Sequence, residues 1–205
     1  MFNYWAGQVG IAVFAVTGVL AAVHRRLSLF AVVVIGVITA VGGGTIRDMV
    51  LGVPVYWLHD FNYVIVAMVA TIVAFVLERR LQDTYTLLLH LDGLACALFA
   101  VLAMDKTLSL GYAEPVAVVM GVVTGIGGGI IRDVLLGEPT LLVRKELYAT
   151  PILFGGILYA SLILLVPQAR EFTAPFSALV MILFRSAAIR YGLAYPDWLR
   201  VRPRT

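Results

Sequence analysis

Apolar residues along this chain fall into seven runs of roughly 16 to 23 residues, separated by short polar or turn segments. Runs of this kind are typical of helices that cross a membrane, because a helix satisfies its own backbone polar groups in lipid. The pattern therefore predicts an all-α polytopic membrane protein: a single transmembrane domain over residues 1–205 with seven transmembrane helices. The predicted helices cover residues 4–23, 29–51, 62–77, 85–104, 115–136, 147–166 and 175–193.

The composition excludes a soluble domain of the same length. Hydrophobic residues make up 61% of the chain, charged residues make up 13%, and the mean hydropathy is +0.98. Soluble domains have about 45–50% apolar and about 25% charged residues. Seven spans leave about 65 residues for termini and connections, which is too few for a soluble catalytic domain. We therefore expect no enzyme activity, no catalytic residues, no cofactor, no metal site and no nucleic-acid partner.

Basic residues are distributed unevenly between the two sides of the predicted membrane domain. Ten lie in connections 1–2, 3–4 and 5–6 and near the C-terminus, two lie on the opposite side, and three lie within spans. Because basic residues concentrate in cytoplasmic loops, the C-terminus is predicted in the cytoplasm and the N-terminus outside, in the cell inner membrane. The ten are Arg25, Arg26, Arg79, Arg80, Arg144, Lys145, Arg190, Arg200, Arg202 and Arg204, and the two are Lys106 and Arg170.

The chain contains an internal repeat with an offset of 85 residues. Residues 36–54 match residues 121–139 at 12 of 19 positions, including a shared Gly-Gly-Gly-x-x-Arg-Asp sequence. Each copy contains three predicted spans, and an odd number inserts the second copy in the opposite orientation, as in many transporter folds. We expect two inverted three-helix repeats, over residues 1–84 and 85–170, followed by a seventh helix and cytoplasmic tail over residues 171–205.

Each repeat carries three consecutive glycines in its second span. Glycine costs about 1 kcal/mol relative to alanine in a helix interior, so the triplets predict that helices 2 and 5 are broken there. Broken helices near the middle of the membrane often form substrate or ion sites. The alternative is close packing, because small residues let two helices approach each other. The residues of the predicted breaks are Gly42, Gly43, Gly44, Gly127, Gly128 and Gly129.

Charged side chains within the spans are the second group of candidate site residues: Arg47, Asp48, Asp92, Arg132 and Asp133. Ionisable groups inside a membrane are costly and usually functional; the alternative is that they lie near helix ends and extend toward the headgroups. Adjacent residues on a helix point about 100° apart, so we expect each Arg and Asp to have a partner elsewhere. Asp92 lies at the depth of Arg132 and is its predicted partner.

The two halves of the membrane domain are not expected to be equivalent. The offset of 85 residues places Gly7 opposite Asp92, so the outer half lacks the additional carboxylate. Arg185, near the middle of the seventh span, is the deepest arginine in the chain. It must face the protein interior or a partner subunit, because a cation exposed to lipid is costly.

The doubled Gly-Gly-Gly-x-x-Arg-Asp motif, followed both times by Gly-x-Pro, resembles that of the prokaryotic members of the trimeric intracellular cation channel family. The resemblance covers residues 4–193. It implies a homotrimer in membrane lipid with a separate pore in each subunit, permeant to potassium and also to sodium. It further implies that helices 2 and 5 kink at the glycines, and that the charged residues of the spans belong to the polar network of the pore.

The resemblance leaves two functions open, because the same domain is also labelled a glycine transporter. The first is a potassium-permeable monovalent cation channel, in which helix ends and carboxylates replace part of the hydration shell of an ion. The alternative is a secondary transporter of a small amino acid such as glycine, which needs a polar pocket beyond the two breaks. Spans 1 and 4 contain few polar residues, namely Gln8, Thr17, His90 and Asp92, which favours the channel.

Overall fold

The described part of the chain folds almost entirely into helices. The computed structural model describes residues 2–23, 25–78, 84–144, 146–166, 168, 170–196 and 198. In chain order the elements are α1 (Phe2–Ala22), α2 (Leu29–Val50), the short α3 (Tyr56–His59), α4 (Asn62–Leu77), α5 (Thr84–Ser109), α6 (Glu114–Leu136), a 3-10 turn (Leu141–Val143), α7 (Thr150–Leu165) and α8 (Arg170–Arg190).

Each of the seven predicted apolar runs coincides with one of the long helices. Five helices, namely α1, α2, α5, α6 and α8, are long and apolar enough to cross a membrane. The apolar helices α4 and α7 have 16 residues each, or about 24 Å of length, against a hydrocarbon core of about 30 Å. The all-helical membrane class is therefore confirmed, and the count of seven spans stays a prediction.

The helix α5 extends further than the apolar pattern predicts. It continues through Asp105 and Lys106 to Ser109, where the prediction ends the span at residue 104. Both charged side chains have partners on neighbouring helices: Asp105 accepts a hydrogen bond from Asn3 of α1 at 2.8 Å, and Lys106 bonds to Asp48 of α2 at 2.7 Å. The helix can continue through these two charged residues because their contacts compensate for the partial loss of hydration.

The sidedness of the membrane domain stays a prediction. Six of the ten basic residues on which it rests lie outside the described residues, so their positions add nothing to it. The six are Arg79, Arg80, Lys145, Arg200, Arg202 and Arg204. Among the others, Arg25 and Arg144 lie in the described connections after α1 and α6, and Arg190 ends α8.

The helices pack as two similar sets of three. In the first set α1 packs against α2 and α4, and α2 against α4; in the second set α5, α6 and α7 pack in the same way. The sets meet through contacts of α1 with α5 and of α2 with α6. Phe14 and Phe99, which are equivalent under the 85-residue offset, stack with ring centroids 5.4 Å apart. Contact between equivalent residues indicates a local two-fold relation between the sets, and α8 packs on the second set against α5 and α7.

The predicted breaks at the glycine triplets are not present. The helix α2 continues through Gly42, Gly43 and Gly44, and α6 continues in the same way through Gly127, Gly128 and Gly129. The hydrogen bonds of each helix bridge the triplet, so the roughly 1 kcal/mol cost of each glycine does not interrupt it. The prediction of broken helices is therefore wrong for this structure.

Candidate functional site

The glycine triplets bring α2 and α6 together with backbone against backbone. A Cβ atom added at Gly43 would lie 2.2 Å from the carbonyl oxygen of Thr124, and one added at Gly128 would lie 2.3 Å from that of Thr39. Real Cβ atoms do not approach other atoms this closely, so both positions need glycine. Thr39 and Thr124 are themselves equivalent in the repeat, which makes the contact reciprocal across the same two-fold. The triplets thus serve as a packing surface between helices.

A first charged cluster lies near the C-terminal end of α2 and consists of Arg47, Asp48 and Lys106; we call it cluster 1. Arg47 Nε donates to Asp48 Oδ1 at 2.8 Å, and Lys106 Nζ from α5 donates to the same oxygen at 2.7 Å. The second carboxylate oxygen accepts from the backbone N–H of Tyr56 at 2.9 Å. Asp48 is completely buried, and the two cations around it give cluster 1 a net charge of about +1.

A second charged cluster lies near the C-terminal end of α6 and consists of Asp92, Arg132 and Asp133; we call it cluster 2. Arg132 Nε donates to Asp133 Oδ1 at 2.8 Å, and Arg132 Nη1 donates to Asp92 Oδ1 at 2.8 Å and to Thr17 Oγ1 at 2.9 Å. The second oxygen of Asp133 accepts from the N–H of Leu141 at 3.1 Å. The predicted pairing of Asp92 with Arg132 is confirmed, and cluster 2 has a net charge of about −1.

Both arginines also bind the aspartate that follows them, a pairing that was not expected from the sequence. The angle of about 100° between neighbours applies to the directions in which their side chains leave the helix. An arginine side chain is long enough to bend along the helix surface and reach a short neighbouring carboxylate. Charged partners elsewhere are present for two of the four residues, since Lys106 bonds to Asp48 and Asp92 bonds to Arg132. Within the described residues, the ion pairs of Arg47 and Asp133 are with the adjacent residue.

Glycines after α2 and α6 turn the chain back toward these aspartates. Gly52 and Gly137 both have a φ of 65°, a left-handed conformation that favours glycine and commonly ends helices. The next N–H groups bond back to the helix, from Val53 to Asp48 O at 3.0 Å and from Glu138 to Asp133 O at 2.9 Å. The loop after each helix therefore stays close enough to hold the aspartate side chain through a backbone N–H.

The two clusters differ because of single residues on α1 and α5. The 85-residue offset places Gly7 opposite Asp92 and Ala21 opposite Lys106. Cluster 1 therefore gains a second cation and cluster 2 gains a second anion, both from α5. The apolar pattern alone assigns Lys106 to a connection and misses its place in cluster 1. Its alignment with Ala21, inside the first predicted span, is the sequence signal that points to it.

A cavity opens beside each cluster, at opposite ends of α1. Cavity 1 has a volume of about 320 Å³, is lined by Asn3 near the N-terminus of α1, and reaches Arg47 and Lys106. Cavity 2 has a volume of about 220 Å³, is lined by Leu20 near the C-terminus of α1, and reaches Asp133. The structure thus places charged groups from both repeats beside separate cavities.

Tightly packed side chains lie between the two cavities. Phe14, midway along α1, is buried and stacks on Phe99 of α5, which also lines cavity 1. Gly10 gives Phe99 its space, since a Cβ there would lie 2.9 Å from the ring. Along α1 the stacked pair thus lies between Asn3, which lines cavity 1, and Leu20, which lines cavity 2.

Tyr56, in the short helix α3 outside the spans, forms part of the wall of cavity 1. Arg47 lies over its ring, with Cζ 5.5 Å from the centroid. Burial raises the pKa of the Tyr56 hydroxyl above its usual range, because the phenolate is poorly solvated there. The hydroxyl is therefore neutral, and it adds an uncharged polar group beside the two cations of cluster 1.

Arg185 of α8 faces the protein interior, as the sequence predicts. It is 4% exposed, and its Nη1 donates to the carbonyl oxygen of Leu147 at 2.8 Å. Its Nη2 lies 3.5 Å from a carboxylate oxygen of Glu146. Both contacts are with the segment that precedes α7, so Arg185 joins α8 to that segment.

Comparison with known proteins gives matches along most of the chain. A family model described as glycine transporter matches residues 4–79 and 89–163. The UPF0126 inner membrane protein YadS of Escherichia coli (strain K12) is 42% identical over 200 residues, which cover 97% of this chain and 97% of YadS. Each matched part of the family model contains one glycine triplet and one Arg-Asp pair.

Solved structures with the same fold include two prokaryotic channels. The crystal structure of a TRIC trimeric intracellular cation channel orthologue from Rhodobacter sphaeroides has a TM-score of 0.88 and 35% identity, covering 93% of this chain and 98% of that one. A prokaryotic TRIC channel crystallised in 0.5 M KCl has a TM-score of 0.87 and 29% identity, with coverage of 94% and 98%. The helical arrangement that holds the two clusters is therefore similar to that of these channels.

Proposed function

The chain belongs to the trimeric intracellular cation channel family, and from this membership we propose that it is a potassium-permeable monovalent cation channel of the cell inner membrane. The proposed channel has a pore in each subunit of a homotrimer. One observation carries the proposal: two buried charged clusters lie beside two cavities at opposite ends of the same helix. Paired charges at both ends of a membrane domain are typical of an ion path.

The proposed path runs between α1, α2, α5 and α6. It enters at cavity 1, passes the stack of Phe14 on Phe99, and leaves through cavity 2. The side chains of Arg47 and Arg132 lie at its two ends. Each arginine binds one oxygen of the aspartate that follows it, and the second oxygen of that aspartate accepts a hydrogen bond from a backbone N–H after the helix. Opening of the path requires the two phenyl rings to separate, because they fill the space between the cavities.

The proposed topology follows from the repeat and from the basic residues. We place the N-terminus and cavity 1 outside and the C-terminus and cavity 2 in the cytoplasm, with seven spans in all. The repeats then occupy residues 1–84 and 85–170 in opposite orientations, and residues 171–205 form the seventh helix and tail. The short helices α4 and α7 occupy equivalent places in the two repeats. In each repeat, therefore, one helix is shorter than the hydrocarbon core of the bilayer is thick.

Cation preference in this proposal comes mainly from cluster 2. Its two carboxylates and one guanidinium leave an excess negative charge next to cavity 2, which raises the local concentration of cations. In cluster 1 the ammonium group of Lys106 lies 2.7 Å from Asp48. A protein cation thus occupies the place beside that carboxylate where a permeating potassium ion would otherwise be attracted.

Flux through reconstituted protein tests the proposed function. Purified protein in liposomes is expected to carry potassium down its gradient without any other solute, and protein-free liposomes give the background. Sodium is expected to pass as well, and chloride much less, because cluster 2, beside cavity 2, has a net negative charge. If potassium flux requires an amino acid, or if glycine is taken up against its gradient with saturation, the protein is a secondary transporter and the channel proposal is wrong.

Removal of the Lys106 charge is expected to increase potassium entry at cavity 1. In Lys106→Met, cluster 1 changes from a net positive to a neutral pair, so the cation concentration in the cavity rises. We expect roughly a tenfold higher potassium conductance at low salt, with the difference shrinking as salt screens the charge. Planar-bilayer recording at several potassium concentrations measures it.

Lys106→Arg is the matched control, because it keeps the positive charge and is expected to conduct like the original protein. Equal conductance of Lys106→Met and Lys106→Arg at low salt would show that potassium does not pass cluster 1.

A further inference from the structure

The seventh long helix, α8, reaches toward cluster 2 through Arg185. A Cβ atom at Gly93 of α5 would lie 2.6 Å from Cγ of Arg185, so the aliphatic part of this arginine rests directly on α5 where a glycine gives it room. Its guanidinium group then crosses to the segment before α7, where it bonds to Leu147 O and lies over the ring of Tyr148, with Cζ 5.3 Å from the centroid. Arg185 thus joins two helices, α8 and α5, to the segment before α7.

Tyr148 continues this line of contacts to cluster 2. Its hydroxyl lies 3.6 Å from Sγ of Cys96, and Sγ in turn donates to Asp92 Oδ2 at 3.4 Å. A Cβ atom at Gly129 of α6 would lie 2.9 Å from the Tyr148 hydroxyl and 3.1 Å from Asp92 Oδ1. The hydroxyl and the carboxylate oxygen therefore both lie beside Gly129, in the space that its missing side chain leaves, next to the bond between Asp92 and Arg132.

The two repeats share the tyrosine but not the carboxylate. The equivalent of Tyr148 in the first repeat is Tyr63, which contacts Gly7, the equivalent of Asp92. Both repeats thus have the tyrosine, whereas the additional carboxylate is found in the second repeat, on which α8 packs. A buried carboxylate is tolerated only when its surroundings hold it against its counter-ion, and α8 brings a further cation to that side.

We propose that Arg185 is a positioning residue for cluster 2: by holding Tyr148 against Cys96 and Gly129, it keeps Asp92 bound to Arg132. Its effect passes through the tyrosine, since Arg185 is bonded to the segment before α7 and covers the tyrosine ring. When Arg185 is lost, the segment before α7 is released, and Tyr148 no longer covers Cys96. Asp92 then turns away from Arg132. The consequence for conduction rests on the proposed function, whereas the consequence for local packing does not.

Cys96 is the single cysteine of the chain and reports this packing directly. It is buried beneath Tyr148, so a small methanethiosulfonate reagent is expected to modify it slowly in the purified protein. In Arg185→Gln the modification rate is expected to rise by roughly a factor of ten or more, because reactivity follows exposure. Arg185→Lys keeps the cation over the ring and one donor for Leu147, and is expected to restore a slow rate.

Arg190→Gln is the matched control, since it removes an exposed arginine from the same helix and is expected to leave the rate unchanged. Tyr148→Phe keeps the ring under Arg185 but removes the hydroxyl, and it tests the link if Arg185→Gln fails to fold. We expect it to speed the modification of Cys96 with little loss of thermal stability. An unchanged rate in both Arg185→Gln and Tyr148→Phe would overturn the proposal.

The reversal potential in a potassium chloride gradient gives the functional readout. Arg185→Gln is expected to shift it in the same direction as Asp92→Asn, because both disturb the same carboxylate. A shift in the opposite direction, or none when Asp92→Asn gives one, counts against the positioning role. If the original protein does not conduct, the channel proposal fails, while the modification rate of Cys96 still decides the role of Arg185.

Discussion

Gly43→Ala is expected to destabilise the protein by at least about 3 kcal/mol, the upper range for overpacking a tightly packed interior. The added methyl group would lie 2.2 Å from the carbonyl oxygen of Thr124. That oxygen belongs to the backbone of α6 and cannot move without the helix, so α2 and α6 must separate. Gly128→Ala is expected to behave in the same way, because it meets Thr39 in the reciprocal contact. Thermal unfolding in mild detergent measures the change.

Gly42→Ala is the matched control for this substitution. A Cβ atom at Gly42 would lie 2.8 Å from Cδ1 of Ile131, which is the end of a flexible side chain that can rotate away. Alanine also favours the helix by about 1 kcal/mol over glycine, so this variant is expected to be as stable as the original protein. If Gly43→Ala proves equally stable, the triplets do not act as a packing surface between α2 and α6.

Asp92→Asn is expected to cost about 3 kcal/mol of stability, since removal of one partner from a buried ion pair leaves the other without compensation. Arg132 is fully buried and retains Asp133 as its only carboxylate within the described contacts. The substitution also removes the excess negative charge of cluster 2. In the proposed channel, the preference for potassium over chloride is therefore expected to fall. Thermal unfolding and the reversal potential in a potassium chloride gradient measure the two effects.

The equivalent position in the first repeat provides the comparison. Gly7→Ala adds a methyl group 3.2 Å from the ring of Tyr63, a side chain that can shift slightly, and is expected to change both measurements little. A double-mutant cycle with Arg132→Gln isolates the pair, because coupled residues give non-additive losses. Additive losses for Asp92→Asn and Arg132→Gln would contradict the interaction seen in the structure.

The helices were predictable from the sequence because lipid imposes a simple rule. A chain in a bilayer must satisfy its backbone within each segment, so the apolar runs coincide with the long helices and their bounds differ by a few residues. The partnership of Asp92 with Arg132 was predictable for a related reason. A charge at a given depth needs a partner at the same depth, and helical rise gives the depth of each residue.

The role of the glycine triplets was not predictable from helix propensity. Propensity describes an isolated helix, in which three glycines are a weakness. In the folded protein Gly43 and Gly128 face carbonyl oxygens of the other helix, and the gain from this contact outweighs the local cost. Which effect dominates depends on what lies opposite the glycine, and that neighbour is about 85 residues away in the chain.

Lys106 could not be assigned to cluster 1 from the sequence for a different reason. Lys106 follows the last apolar residues of its run, so composition assigns it to a connection. Its side chain is long enough to reach back to Asp48 while its backbone stays helical. The pairing of Arg47 with Asp48 does not follow from the angle of about 100° between neighbouring residues on a helix, because the long arginine side chain can bend along the helix surface.

The reciprocal contacts near the two-fold also constrain how a duplicated gene can diverge. Residues 4–23 and 89–108, which belong to α1 and α5, are identical at only 4 of 20 aligned positions, and all four lie between residues 12 and 16, around Phe14. There each copy packs against its own duplicate, so a substitution in either half must fit the unchanged other half. Toward the ends of α1 and α5 that requirement lapses, and there α5 has Asp92 and Lys106 where α1 has Gly7 and Ala21.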